Sequence, residues 1–256
     1  ILRVGPDQLA YDELKSLIPT PDLMSVVEYD QLLQNHFDRF AGRFPDSNYL
    51  EPVQKMADEL RRERERVVSG HQKIGGEWIS PVEFQKRKYN LEAAIIHSEI
   101  KELTAASDYL SALRRFGHLE EEYLGSKAYP EGVITILGVL GSYEKRIDGM
   151  IAKQPFLADQ RESGLARQDE AQRPKVEKAI QDEVEKYETD RTREVDAGEI
   201  WLSLYEYDLG GLEEAKATII SERDRLNLLD LDTLRAAATH TAKALEHYAD
   251  KEFIKA

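Results

Sequence analysis

Cysteine is absent from this sequence of 256 residues. Its absence excludes disulfide bonds, thiolate metal sites and a cysteine nucleophile, and it is compatible with both the cytoplasm and the periplasm. Long hydrophobic runs are absent too. Because a membrane-spanning helix needs a run of about eighteen apolar residues, we predict no transmembrane segment in this sequence.

Positive charge is also scarce. The sequence has 35 Lys and Arg residues against 49 Asp and Glu residues, which gives a formal net charge of −14. Nucleic acids and anionic membrane surfaces are bound through clusters of basic side chains. The charge balance therefore argues against both kinds of partner.

The common catalytic and ligand-binding motifs are missing. Gly75-Gly76 lacks the spacing and the following Lys-Ser or Lys-Thr of a phosphate loop, and no nucleophile elbow, dinucleotide fingerprint or calcium loop occurs. His240 and His247 share a helical face without a His-Glu-x-x-His arrangement, and the consecutive Glu120–Glu122 fan around a helix instead of converging. We predict no enzyme, catalytic residue, cofactor or metal site. An enzyme whose pocket is assembled from distant residues is the less favoured alternative.

The strongest positive signal is an internal repeat. The segments that begin at Phe37 and Phe116 match in aromatic, turn, acidic and aliphatic positions, with one inserted residue. Such a repeat predicts structural units that pack alike, here pairs of helices. The matched pairs are Phe37 with Phe116, Phe40 with Leu119, Phe44 with Tyr123, Ser47 with Ser126, Tyr49 with Tyr129, Glu51 with Glu131, Val53 with Val133, Met56 with Ile136 and Leu60 with Leu140.

Local signals mark the helices of the first repeat. A capping box, Ser25-Val-Val-Glu28, predicts the start of a helix that runs to about Gly42 with an apolar stripe at helical spacing. Asp46 or Ser47 is predicted to cap a second helix that runs to about Val68. Its closing run of alternating Arg and Glu predicts a solvated face with internal ion pairs, with an anion site as the alternative.

The turn of the first repeat, Phe44-Pro-Asp-Ser-Asn-Tyr49, resembles that of tetratricopeptide-like (TPR-like) repeats, in the form found in bacterial outer-membrane assembly lipoproteins of the BamD type. The resemblance covers residues 25–68 and 105–148. The second repeat departs from it with Leu124-Gly125 in place of Pro-Asp, and the two repeats lie about two repeat lengths apart. The resemblance implies stacked helical hairpins whose groove binds a peptide or protein segment.

A second resemblance is carried by Leu17-Ile-Pro-Thr-Pro-Asp-Leu23 and by Gly76-Glu-Trp-Ile-Ser80. These segments are similar to those of a bacterial family named PTPDL. This resemblance implies no known activity and assigns no functional residue.

We predict an all-α chain in three parts. Residues 1–22 form an N-terminal tail or the remnant of an upstream domain, with a stray strand at Ile1–Val4 and a short helix at Gln8–Leu17. Residues 23–154 form the TPR-like domain, and residues 155–256 form a C-terminal helical arm. The sequence begins with Ile and not Met, so we expect it to be trimmed. A signal peptide, a lipid anchor or a further domain ahead of Ile1 is compatible with this expectation.

Between the repeats, Gly75-Gly76 predicts a turn, and a second capping box, Ser80-Pro-Val-Glu83, predicts a helix to about Ala105. The second repeat is predicted to begin at Ser107, and we expect its apolar second helix to be the most buried element.

Beyond Pro155 the chain is dense in charge. Residues 158–199 predict solvated helices, with a disordered linker as the alternative. Gly210-Gly211 are predicted to end the apolar segment Ile200–Tyr207, and a further helix is predicted to follow them. A seam from Leu231 to Tyr248, with apolar residues at steps of three and four, predicts packing onto the preceding helix or, alternatively, a self-association face.

Together these features predict a protein-interaction scaffold of the bacterial cell envelope, periplasmic or outer-membrane-associated, with the cytoplasm left open. The expected partners are proteins. The rival hypothesis is a structural envelope protein that forms a homo-oligomer through the C-terminal arm. The residues predicted to line the partner groove are polar or aromatic residues of the first helix of each repeat: Tyr29, Asn35, His36, Tyr109, Arg114 and Arg115.

Overall fold

Helices make up most of the computed structural model, which describes residues 5–253 and the side chains of residues 5–250. The predicted all-α class is confirmed. The predicted strand Ile1–Val4 lies outside the described residues. No helix in the described part of the chain is long and apolar enough to cross a membrane.

The elements follow one another in a simple order. A π-helical segment interrupts the second α-helix, and two short strands pair between the fourth and fifth. The elements are α1 (Pro6–Ser16), α2 (Val26–Leu32), the π segment (Leu33–Asp38), α3 (Arg39–Arg43), α4 (Leu50–Val68), β1 (Gln72–Ile74), β2 (Glu77–Ile79), α5 (Pro81–Ala105), α6 (Tyr109–Tyr123), α7 (Ala128–Ala166), α8 (Arg173–Asp196), α9 (Leu209–Asn227) and α10 (Leu231–Phe253).

Contacts group the chain into two compact units. The first comprises Ile1–Leu91 and Leu245–Ala256, and the second comprises Glu92–Ala244. The predicted division after residues 22 and 154 follows other boundaries, and that division into domains stays a prediction.

A helical hairpin forms the centre of the first unit, as the repeat predicts. α2, the π segment and α3 form one arm, and α4 forms the other. Periodicity did not predict the π segment. The core residues recur at helical spacing and come from both arms and from α1. They are Leu14, Tyr29, Leu33, Phe37, Phe40, Val53, Ala57 and Leu60.

The start of α4 differs from the prediction. The helix begins at Leu50, and the Ser47 hydroxyl accepts a hydrogen bond from the backbone N–H of Tyr49 at 3.1 Å. Ser47 therefore stabilises the turn ahead of the helix and does not cap its first turn. The same hydroxyl donates to the Asp7 carboxylate at 2.8 Å, which ties this turn to α1.

Both capping boxes are confirmed. The Ser25 hydroxyl accepts from the Glu28 N–H at 3.3 Å, and the Glu28 carboxylate accepts from the Ser25 N–H at 2.7 Å. Ser80 and Glu83 make the same reciprocal pair at 3.2 and 3.0 Å. Each box satisfies backbone donors that a helix start leaves free, so these two boundaries follow from local sequence alone.

The charged end of α4 is a solvated face with ion pairs, as expected. Arg61 pairs with Asp58 on its own helix at 2.8 Å, and Arg64 reaches Asp30 of α2 at 2.6 Å. Such exposed pairs are screened by solvent and contribute little to stability.

The second hairpin, formed by α6 and α7, lies in the second unit. Asp108 caps α6, in place of the predicted Ser107, because its carboxylate reaches the Ser111 N–H at 3.3 Å. α7 carries ten buried residues, more than any other helix in the described part of the chain, which confirms that it is the most buried element. Ile134 is an exception and is 44% exposed.

The predicted break at Gly210-Gly211 is wrong, and the change of composition at Pro155 is not a helix end. Pro155 lies inside α7, which continues to Ala166, so the helix tolerates the loss of the hydrogen bond that this proline cannot donate. Gly211 lies in the first turn of α9, where its N–H donates to the capping Asp208 carboxylate at 3.0 Å. A Cβ at Gly211 would lie 2.5 Å from that carboxylate, so glycine permits the cap.

The charged stretch forms the end of α7 and all of α8, as the prediction of solvated helices has it, and not the alternative of a disordered linker. Pro174 lies in the first turn of α8, where its missing N–H costs nothing, and every residue of α8 is exposed or half-buried. In the seam of α10, Leu231 and Leu234 pack against the core of the second unit, whereas Tyr248 is 64% exposed.

Candidate functional site

Tyr29 lies in the core of the first unit, not on an accessible groove. Its side chain is 1% exposed, and its hydroxyl donates a hydrogen bond to Glu63 Oε2 at 2.9 Å. Burial, together with the neighbouring Glu63 carboxylate, raises the pKa of Tyr29 to about 12. The helix turns this side chain inward, because Tyr29 belongs to the apolar stripe that α4 covers.

A buried polar network surrounds that hydroxyl. Lys73 Nζ donates to the carbonyl oxygen of Thr20 at 3.1 Å and to its hydroxyl at 2.9 Å, and the Thr20 hydroxyl donates to Glu63 Oε2 at 2.7 Å. Thr20 is 5% exposed and Lys73 is 8% exposed, with the ammonium 3.8 Å from the Glu63 carboxylate. A buried charge is tolerated only when it is paired and hydrogen-bonded. The network therefore clamps the segment before α2 to α4 and β1.

The segment before α2 is held at a second point. Asp22 accepts hydrogen bonds from the backbone N–H groups of Gly75 and Gly76 at 2.5 and 3.0 Å. Both glycines have positive φ, as a two-residue hairpin turn requires, and β1 and β2 pair on either side. The two segments that carry the PTPDL resemblance therefore meet through Asp22 and Gly76. Sequence reasoning identified the segments but not their contact.

Arg114 is engaged within the second unit. Its guanidinium donates twice to the carbonyl oxygen of Trp201, at 2.9 and 2.7 Å, and once to the Glu194 carboxylate at 2.6 Å. The planar guanidinium suits this forked arrangement. Arg114 thereby fixes the irregular chain between α8 and α9.

The other two predicted residues of the second unit also make internal contacts. Tyr109 is half-buried, with its ring centroid 6.0 Å from that of Tyr143. Arg115 donates to the Glu99 carboxylate at 2.5 Å. A partner-binding role for these residues stays a prediction.

Asn35 and His36, in contrast, line an open cleft in the first unit. It lies between α1 on one side and the π segment with α3 on the other, and we call it the α1–α3 cleft. Its space is about 700 Å³, part of which is open solvent. The side chains around it are Ala10, Glu13, Leu14, Asn35, His36, Arg39, Phe40, Arg43 and Phe44.

Cationic side chains form one rim of the α1–α3 cleft. Arg39 and Arg43 are exposed, and neither makes an ion pair with any residue that the structure describes. The Arg43 guanidinium lies 5.3 Å from the ring centroid of Phe44, an arrangement that favours a cation over an aromatic face. Glu13 on α1 supplies the opposing negative charge. The apolar side chains that form the floor of the cleft are Ala10, Leu14, Phe40 and Phe44; Leu14 and Phe40 are buried in the core, whereas Ala10 and Phe44 are half-buried.

The π segment sets the direction of this rim. A π turn holds one more residue than an α turn, and each extra residue rotates the following chain by about 100° around the helix axis. Asn35 and His36 lie within Leu33–Asp38, and Arg39 follows it directly. π-Helical turns occur often at functional sites, which favours the cleft as a candidate site.

Sequence reasoning found Asn35 and His36 but missed Arg39 and Arg43. A signal was available, because the arginines follow His36 by three and seven residues, the spacing of one helical face. Glu13 could not be found in this way, since only the tertiary fold brings α1 to this helix.

No group of three or more His, Asp or Glu residues in the described part of the chain is arranged to hold a metal ion. In the described part of the chain, the fold is all-α and built of helical hairpins, and the α1–α3 cleft is an open cleft with charged side chains on its rim. The chain matches no family model, curated protein or solved structure.

Proposed function

We propose that this protein is a non-enzymatic interaction scaffold of the bacterial cell envelope that binds a protein segment in the α1–α3 cleft. The observation that carries the proposal is the cleft itself, which combines an apolar floor with two exposed arginines that pair with no described carboxylate, both on one rim. The envelope setting rests on the resemblance of the Phe44–Tyr49 turn to that of outer-membrane assembly lipoproteins.

The cleft has the physical properties of a segment-binding site. Its walls are helices anchored in the core through Leu14 and Phe40, so the site is formed before a ligand arrives and its ordering cost is low. Apolar surface in the floor supplies binding free energy, and charged groups at the rim set orientation and specificity. A peptide side chain can fill the space between the helices while its backbone stays at the surface.

Site-specific photo-crosslinking in the native host tests the proposal. A photo-reactive residue replaces Asn35, which is exposed at the cleft, and in a matched control it replaces Gln54, which is exposed on α4 of the same unit. We expect discrete protein adducts through position 35 that are absent at position 54. These adducts should be lost when Arg39→Glu reverses the charge of the rim.

Equal adducts at both positions, or adducts unaffected by Arg39→Glu, would contradict binding in the cleft. Adducts of the protein with itself alone would favour the rival hypothesis, a structural protein that self-associates. Fractionation of the same cells tests the setting, because the proposal requires the protein in the envelope fraction.

A further inference from the structure

The charge of the α1–α3 cleft contrasts with that of the chain. The whole sequence has a net charge of −14, yet the cleft gathers Arg39 and Arg43 against the single carboxylate of Glu13. Arg61 and Arg64 in the same unit are neutralised by aspartates, whereas the cleft arginines pair with no described carboxylate. The cleft therefore offers cationic N–H donors that no described carboxylate accepts from.

We infer that the occupant of the cleft is an acidic protein segment that carries one apolar side chain between two carboxylates. This inference deepens the proposed function and rests on it. Arg39 and Arg43 are four residues apart on one helix, so their backbones are separated by about 6 Å along its axis. Two carboxylates at alternate positions of an extended segment are separated by nearly the same distance, about 6.6 Å.

The apolar side chain has a place to bind. Successive side chains of an extended chain point to opposite faces, so the side chain between the two carboxylates points away from them. With the carboxylates on the arginine rim, that side chain lies over the floor formed by Phe44 and Ala10, which are half-buried and retain surface for contact. His36 adds a ring nitrogen at the same wall, able to donate to a carboxylate. An acidic segment thus satisfies the rim and the floor together.

Fluorescence anisotropy with two synthetic peptides tests the inference on the full chain. The acidic probe is fluorescein-Gly-Ser-Glu-Leu-Glu-Gly-Ser, and the neutral probe has Gln in place of both Glu residues. We expect the acidic probe to bind about tenfold tighter at low salt, with the preference falling as salt is raised, because exposed ion pairs are screened.

Matched variants locate the binding. Arg39→Ala with Arg43→Ala should remove the tenfold preference, whereas Arg62→Ala, which removes another exposed and unpaired arginine of the same unit, should leave it unchanged. Glu13→Gln should tighten binding of the acidic probe about two- to threefold, because it removes the opposing charge. A structural role for Glu13 predicts no such gain.

Several outcomes would overturn the inference. The first two are that the acidic probe does not bind, or that the two probes bind equally. The others are that Arg62→Ala removes the preference for the acidic probe as fully as the double variant does, or that inorganic phosphate, at the same concentration of negative charge, displaces the acidic probe as well as unlabelled acidic peptide does. A dimer in sedimentation that Arg39→Ala dissociates would replace the acidic segment by a second copy of the chain. If position 35 crosslinks a partner while the probes bind equally, the proposed function survives and only the acidic preference fails.

Discussion

Thr20→Val is the sharpest test of the clamp that holds the segment before α2. The substitution keeps the volume and branching of the side chain and removes only the hydroxyl. That hydroxyl accepts from Lys73 at 2.9 Å and donates to Glu63 at 2.7 Å. Both partners are charged, and a hydrogen bond to a charged group contributes about 1.5–3 kcal/mol.

The expected loss is about 3 kcal/mol of unfolding free energy in the first unit. Two such bonds set an upper range of about 3–6 kcal/mol. The loss should fall near the lower end, because Lys73 keeps the carbonyl oxygen of Thr20 at 3.1 Å and stands 3.8 Å from Glu63. Thr20→Ser keeps the hydroxyl and should cost about 1 kcal/mol or less through the lost methyl group.

Urea denaturation followed by tryptophan fluorescence measures these losses. The chain has two tryptophans, Trp78 in the first unit and Trp201 in the second, so a Trp201→Phe background reports on the first unit alone. This separation is needed because a chain of two units can unfold in more than one step. Ser16→Ala, which removes an exposed hydroxyl bonded to the Glu13 carbonyl, is the matched control and should change stability by about 0.5 kcal/mol or less.

The reasoning is refuted if Thr20→Val costs no more than Thr20→Ser or Ser16→Ala. That result would mean that solvent or a rearranged Lys73 replaces the two hydrogen bonds at little cost.

Two further predictions concern the second unit, with unfolding followed through the fluorescence of Trp201. Gly132→Ala should destabilise it by about 1–3 kcal/mol, because the added Cβ would lie 2.7 Å from a methyl carbon of Leu119. Gly138→Ala, where the added Cβ would have no atom within 4 Å, should stabilise α7 by about 0.5–1 kcal/mol. Stability changes of the same sign in the two variants would contradict this account. Burial raises the pKa of Glu120, but hydrogen bonds, first among them that from Arg225, outweigh it and lower the pKa below the usual value. Its folded pKa is depressed, so its contribution to stability is present above about pH 4.3 and is lost as the pH falls through the folded pKa. Glu120→Gln should therefore make the decline in stability between about pH 5 and 3 shallower, and an unchanged decline would contradict the assignment.

Helix boundaries could be predicted where a capping box marks them. The boxes begun by Ser25 and Ser80 were predicted because both partners of each bond lie within four residues. Gly210-Gly211 misled the prediction because the Gly211 N–H has Asp208 as a capping partner, so the helix begins ahead of the glycines. Pro155 lies inside α7, where many buried contacts outweigh one lost hydrogen bond.

At the candidate site, Asn35 and His36 were predicted and the α1–α3 cleft contains both. Tyr29 was predicted for the same groove, but its position on the apolar stripe turns it into the core. Arg114 was predicted as a partner contact, which stays a prediction, and it also donates to the Trp201 carbonyl, far away in sequence. For Tyr29 and Arg114 the sequence indicated a side chain able to form hydrogen bonds, but the hydrogen-bond partner of each lies in another part of the chain.

The sequence by itself determined the all-α class, the two hairpins and both capping boxes, because these follow from contacts between residues close together in the chain. It also predicted the burial of α7 from the apolar composition of that helix, although α9, which is distant in sequence, supplies part of the cover. Only the tertiary structure decided which polar side chains remain available. Lys73 donates hydrogen bonds to Thr20 and lies 3.8 Å from the Glu63 carboxylate, whereas Arg39 and Arg43 find no described carboxylate and stay at the surface. The physical reason is that hydrogen bonds and ion pairs act over a few ångströms in space, and the fold alone sets those distances.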